Sequence, residues 1–186
     1  MKNLFAVATT KILLAAAMLL SGCSTLVTDV KKDERYTKRL TETSVVWSSS
    51  AFMGASVTRS HGQWISEKDR ERSTTSAAEL QALFARALPD IVPATLRKYA
   101  VSVQPDRRAA ATQLRIAPVS AETECAPLGC KDSLWLDVQL FDREERRTVW
   151  SGRFKVGAPF PVTNDAAVVQ SFADSLVSHL KSSGLL

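Results

Sequence analysis

The side chains that could act as nucleophiles, metal ligands or proton shuttles are few: three cysteines and two histidines in 186 residues. Cys125 and Cys130 enclose Ala126-Pro127-Leu128-Gly129, which is not CxxC spacing, and no histidine stands nearby, so neither a redox pair nor a zinc site is expected. His61 lies in His61-Gly62-Gln63-Trp64, a loop able to hold a ligand but without a companion motif, and His179 sits beside Val177 and Leu180 as a surface histidine of a closing helix. Asp137 and Asp142 could supply the two carboxyls of acid–base attack on a glycan, although solvation on an exposed strand face accounts for both. No GxSxG, HExxH or Walker loop occurs. These residues predict a protein that is not an enzyme and holds no cofactor and no metal.

The third cysteine belongs to a different chemistry. Lys2 precedes an apolar stretch from Leu4 to Leu20, broken only by Thr9, Thr10 and Lys11 and ending in Ser21 and Gly22. Residues 1–22 therefore read as a secretory signal peptide, because the unbroken run Ile12 to Leu20 is far shorter than the ~20 residues of a permanent membrane span. The run Leu20-Ser21-Gly22-Cys23 resembles the lipobox of bacterial lipoproteins. That resemblance implies diacylation of the Cys23 thiol, cleavage between Gly22 and Cys23, and sorting to the outer membrane because Ser24 follows where Asp would retain the protein. Two or three acyl chains anchor stably where one binds reversibly, at ~0.8 kcal/mol per buried methylene.

With Cys23 acylated, an even pair of cysteines remains. An oxidising periplasm then favours a Cys125–Cys130 disulfide across a Pro- and Gly-containing turn, a local staple of about 2 kcal/mol. Loss of Lys2 and Lys11 with the leader lowers the net charge from +5 to +3. Basic residues alternate with acids, as in Lys31-Lys32-Asp33-Glu34-Arg35, so no nucleic-acid partner is expected.

Residues 23–43 are polar with scattered apolar positions and read as a lipidated, mobile tether, leaving 44–186 as a single periplasmic domain. A first strand is predicted at Ser44 to Ser49. Ala51 to Ser76 reads as a long loop with an extra strand near Ala55 to Arg59. Leu80, Leu83, Phe84, Ala87, Leu88 and Ile91 form a helical stripe, with Ser76 and Glu79 as a capping box. Pro89 and Pro93 should split it into two segments.

Strands are expected at Ala100 to Gln104, Thr112 to Pro118, Ser133 to Asp142 and Thr148 to Gly157. Leu134, Leu136, Val138 and Leu140 alternate with Trp135, Asp137, Gln139 and Phe141. Arg143 to Arg147 is a charged hairpin turn. The aromatics Trp135, Phe141 and Trp150 are expected in the core or under a helix. Val169, Phe172, Ala173, Leu176, Val177 and Leu180 form a closing helix that starts at Thr163 or Asn164 and ends before Gly184. The order β-α-β-β-β-β-α predicts an α+β fold: an antiparallel or mixed sheet of about five strands with two helices on one face.

The run Trp135-Leu136-Asp137-Val138-Gln139-Leu140-Phe141-Asp142, then Val149-Trp150-Ser151-Gly152-Arg153, then a helix ending Ser183-Gly184-Leu185, resembles a family of small periplasmic lipoproteins with an αβ sandwich. The resemblance spans roughly Ser76 to Leu186 and extends to the amino-terminal domain of Tol-system propeller proteins and to lipoprotein partners of secretion or transport machines. It implies an accessory or assembly role with an envelope protein partner. The alternative is a module that binds a small ligand, peptidoglycan or another glycan. Contact is expected through the exposed sheet face or the Ala51 to Ser76 segment, with Trp64 and His61 as the candidate binding residues. The Cys125/Cys130 loop, the two helix prolines and the long segment before Ser76 depart from the family pattern.

Overall fold

The computed structural model describes residues 24–59, 64–126, 129–159 and 165–186. The signal peptide, Gly22, Cys23, His61 and the Thr163/Asn164 cap lie outside the described residues. The elements are β1 (Ser24–Lys32), β2 (Glu42–Trp47), β3 (Ala55–Arg59), α1 (Glu67–Arg97), β4 (Ser102–Val103), β5 (Thr112–Ala126), β6 (Gly129–Asp142), β7 (Arg147–Pro159) and α2 (Asp165–Ser182). The fold is α+β, with two helices and a mixed sheet of seven strands among the described residues, rather than about five strands.

The sheet runs β1-β7-β6-β5-β2-β4, and β3 also pairs with β5. β5, β6 and β7 form an antiparallel meander. β2 and β3 lie parallel to β5, end to end along it, and parallel pairing requires the long crossover that α1 supplies. The handover falls at a register shift between Pro118 and Ser120, where Met53 donates its amide to Val119 and Gly54, at φ 128°, accepts from Ala121. Pro118 has no amide to lose and suits this irregularity, so β5 runs on past the proline where the sequence suggested it stops.

The segment read as a tether is part of the fold. Ser24–Lys32 pairs antiparallel with β7, and Tyr36 and Leu40 behind it are buried. As an edge strand covered on one side, β1 needs few apolar residues and carries charges that blunt its free edge. The 33–41 segment clamps the carboxyl end. Leu40 donates its amide to the Leu185 carbonyl at 2.7 Å and Lys32 donates to that of Ser183 at 2.8 Å.

The helix also begins earlier than its apolar stripe. Ser66, not Ser76, is the cap, and Asp69, not Glu79, completes the capping box. Ser76 instead packs inside the helix against the sheet. The first turns are polar because they cover β3 at the sheet margin, where Ser73 donates its hydroxyl to the Ser56 carbonyl at 2.9 Å. Pro89 and Pro93 do not divide α1, which continues to Arg97. Burial of Leu88, Val92, Pro93 and Leu96 on the sheet, worth ~1.5–3 kcal/mol for each large aliphatic side chain, offsets the missing amide donors.

Both helices cover one sheet face. Its core includes Leu114, Ile116, Leu134, Leu136, Val138, Leu140, Phe154 and Val156. An aromatic chain crosses this layer: Trp47 stacks on Phe84 at 6.0 Å, and Phe172 meets both Phe84 and Phe154 edge-on at 5.7 and 5.3 Å. α2 ends in a Schellman turn, with Leu185 bonded to the Leu180 carbonyl, Gly184 to that of Lys181, and Gly184 at φ 69°.

Candidate functional site

Among the described residues no helix covers the opposite sheet face, and strand alternation sends a different residue set there. From β6 come Trp135, Asp137, Gln139 and Phe141; from β5, Gln113, Arg115, Ser120, Glu122 and Glu124; from β7, Ser151, Arg153 and Lys155. The expectation that Trp135 and Phe141 belong to the core is corrected: both are half-exposed on this open face, and Trp150 alone of the three is buried.

Cross-strand pairs organise the face. Arg153 grips Asp137 with two nitrogens, Nε at 2.7 Å and Nη2 at 3.2 Å. Lys155 reaches Glu122 and Glu124, each at 2.7 Å, and lies 5.6 Å from the Trp135 ring centre. Arg115 sits 4.2 Å above the Phe141 ring. Burial pushes the Glu122 carboxyl up, but the Lys155 ammonium and the Trp135 donor bring it below its usual range. The Asp137 hydrogen bond raises the Arg153 pKa. The face is thus a lattice of paired charges over two aromatic rings, with cations and anions in balance.

Two hollows flank Arg153. One, of about 370 Å³, is bordered by Asp29, Lys31, Asp137, Gln139, Ser151 and Arg153. The other, of about 270 Å³, lies under Met53 with Trp135, Ser120, Glu122, Asp29 and Arg153. Asp29 joins both because β1 shifts register between Thr28 and Lys31 and turns through φ 52° there. A third hollow, of about 670 Å³, opens at the other sheet edge between Trp47, Val103 and the two prolines of α1.

Asp137 and Asp142 do not share a cleft. Asp142 lies on the helix side, buried, and accepts from the Tyr36 hydroxyl at 3.0 Å, so solvation on an exposed face does not describe it. An odd separation of five places the two on opposite faces of a strand, a signal already present in the numbering. Burial raises the Asp142 pKa, but the Glu145 amide, the Tyr36 hydroxyl and Lys38 outweigh it and leave it below the ordinary carboxylate value. His179 packs edge-on against Phe154 at 6.1 Å. Among the described residues no group of three or more His, Cys, Asp or Glu could hold a metal ion.

Cys125 and Cys130 form a disulfide and pair across the β5–β6 hairpin. Trp64 is 86% exposed. It is not in a long loop, since it stands between β3 and the Ser66 cap. Sequence reasoning missed Arg153, Asp29 and Met53, none of which carries a motif; only pairing of β1 and β5 with their neighbours brings them to Trp135. No helix among the described residues is long and apolar enough to cross a membrane.

No protein-family model matches the chain, and no curated protein matches it by sequence. Solved structures do. Two crystal forms of the PelC dodecamer from Paraburkholderia phytofirmans are 13% and 14% identical, with TM-scores of 0.41 and 0.42, covering 84% of this chain and 97% of that one. A DUF330 protein from Xanthomonas campestris is 15% identical, with a TM-score of 0.38, covering 84% of this chain and 89% of its own. All are bacterial proteins to which this chain is similar.

Proposed function

We propose that the chain is a non-enzymatic lipoprotein of the bacterial outer membrane that presents the open face of its sheet to an envelope protein partner. The observation that carries this reading is the run Leu20-Ser21-Gly22-Cys23 directly before Ser24, the first residue of the edge strand β1. A cysteine there is one peptide unit from the folded domain, so acyl chains on it would hold the sheet close to the membrane. The open face suits a protein partner in composition. Trp135, Phe141, Met53, Arg115 and Arg153 are of the types enriched where interfaces concentrate binding energy.

Two experiments test this. Metabolic labelling with an alkyne palmitate should mark the wild-type protein and leave Cys23→Ala unmarked and absent from the outer-membrane fraction; an unlabelled wild type would refute lipidation. A photo-cross-linking amino acid at Gln139, on the open face, should capture one dominant envelope protein, whereas the same group at Glu79, on the solvent side of α1, should not. Equal capture at both positions would remove the open face as the interface.

A second reading, a module for a small polar ligand or glycan, is favoured by the two hollows that share Asp29 and Arg153 beside the Trp135 ring. Soluble peptidoglycan fragments should then raise the melting temperature of the wild type and not of Trp135→Ala. Absence of any shift would leave the protein-partner reading alone.

A further inference from the structure

We propose that Trp64 seats in the lipid headgroup layer, so that the pole of the domain formed by Trp64 and the Cys125–Cys130 hairpin rests on the leaflet that holds the acyl chains of Cys23. This rests on the lipoprotein reading above and adds an orientation and a second membrane contact to it.

Strand register defines the pole. Ser24, Gly157, Ser133, Glu122 and Ser56 form one row across the sheet. Three residues further in the same direction lie Arg59, Cys125 and Cys130, again in one row, about 10 Å beyond at ~3.3 Å per residue. Because β1 is antiparallel to β7, its first residue, Ser24, is the residue of β1 nearest that same end. Cys23 precedes Ser24 in the sequence, so one Cα step of about 3.8 Å limits its distance from that row, and the row of Cys125 and Cys130 reaches at least roughly 6 Å beyond it. An interfacial element buries itself about 5–10 Å at the headgroup and acyl boundary, so anchor and tip fit one membrane surface.

Trp64 is held at this end. Ser66 donates its amide and its hydroxyl to Asp69 Oδ2 at 2.8 and 2.6 Å, and the other Asp69 oxygen accepts from Arg59 Nη2 at 2.7 Å. Trp64 stands two residues before this lock, so two Cα steps of 3.8 Å confine it to the neighbourhood of Arg59 and hence of Cys125. It is more exposed, at 86%, than Met53, Leu26, Tyr99 or Val30, and it borders none of the hollows described above. An exposed indole at this end of the domain, on the sheet edge across from β1, matches the aromatic belt of membrane interfaces, where the apolar ring and polar N–H both find partners. Neighbouring charges are mixed, with Glu67 paired to Arg70 at 3.1 Å. Attachment is therefore by apolar insertion rather than by attraction to anionic lipid, and should resist salt.

The test uses the full-length protein purified from membranes, its acylation read by intact mass, in vesicles of phosphatidylethanolamine and phosphatidylglycerol with or without dibrominated phosphatidylcholine. Trp64 is one of four tryptophans. Brominated lipid should remove the Trp64 share of emission from the wild type and leave Trp64→Phe unchanged, equally at low and high salt. Equal or absent quenching in acylated wild type and variant would overturn the proposal while sparing the lipoprotein reading. Unacylated protein would overturn both. Shielding of Trp64 from aqueous acrylamide without bromine quenching would assign it to a protein or a second copy, and overturn the membrane contact.

Discussion

The Tyr36 hydroxyl donates to Asp142 Oδ2 at 3.0 Å in a buried contact that joins residues 106 apart in sequence. It fastens the segment after β1 to the end of β6, and Lys38 adds a contact to the same carboxylate at 3.6 Å. This link has consequences at both ends of the pH scale.

Burial, followed by the Asp142 hydrogen bond, pushes the Tyr36 pKa up from 10.0 to about 12. A folded-state pKa above the unfolded one stabilises the protonated form, so this contribution is whole below pH 10 and is lost as pH rises toward 12. The Asp142 contribution has the opposite sign: it is present above the unfolded carboxylate pKa and lost as pH falls through its depressed folded value. Tyr36→Phe should lower stability in urea by about 1.5–3 kcal/mol at neutral pH, the range for a hydrogen bond to a charged group. It should also flatten the loss of stability between pH 10 and 12. An unchanged alkaline profile would show that the hydroxyl does not hold this contact.

The Ser66 cap starts α1 ten residues before the apolar stripe suggested. Ser66→Ala should cost about 1 kcal/mol and accelerate amide exchange at residues 67–72 while leaving Leu83 to Leu96 protected. Asp69 is held well below the usual carboxylate range by Arg59 first and by Ser66 second, so the cap should survive mild acid. Uniform exchange along the helix in the variant would mean that the cap governs the whole fold rather than one end.

Cys125 and Cys130 close a short ring at the tip of a hairpin whose strands are already paired along their length. Changing both to Ala should lower stability by about 2 kcal/mol and leave the circular dichroism spectrum native. A collapsed spectrum would make the bridge essential to the fold.

Local patterning was sufficient where one face of an element is buried throughout. The alternation from Leu134 to Phe141 specifies β6 and its two faces, and the stripes from Leu80 and Val169 specify the helices. The strand at Ala55 to Arg59 and the Gly184 stop stood in the residues as well. Asp137 and Asp142 could have been separated by parity alone.

What the sequence by itself determined is therefore the α+β class, the helix-covered face and the cysteine pair, because each follows from residue types and spacings within one element. Tertiary structure decided the rest. β1 is a strand only because β7 offers it an edge, and α1 passes two prolines only because Leu88, Val92 and Leu96 find the sheet. Trp135 lies open because both helices pack on the other side, and Arg153, Asp137 and Asp29 meet because three strands align in register. Each of these depends on free energy from residues distant in sequence, which no local window contains.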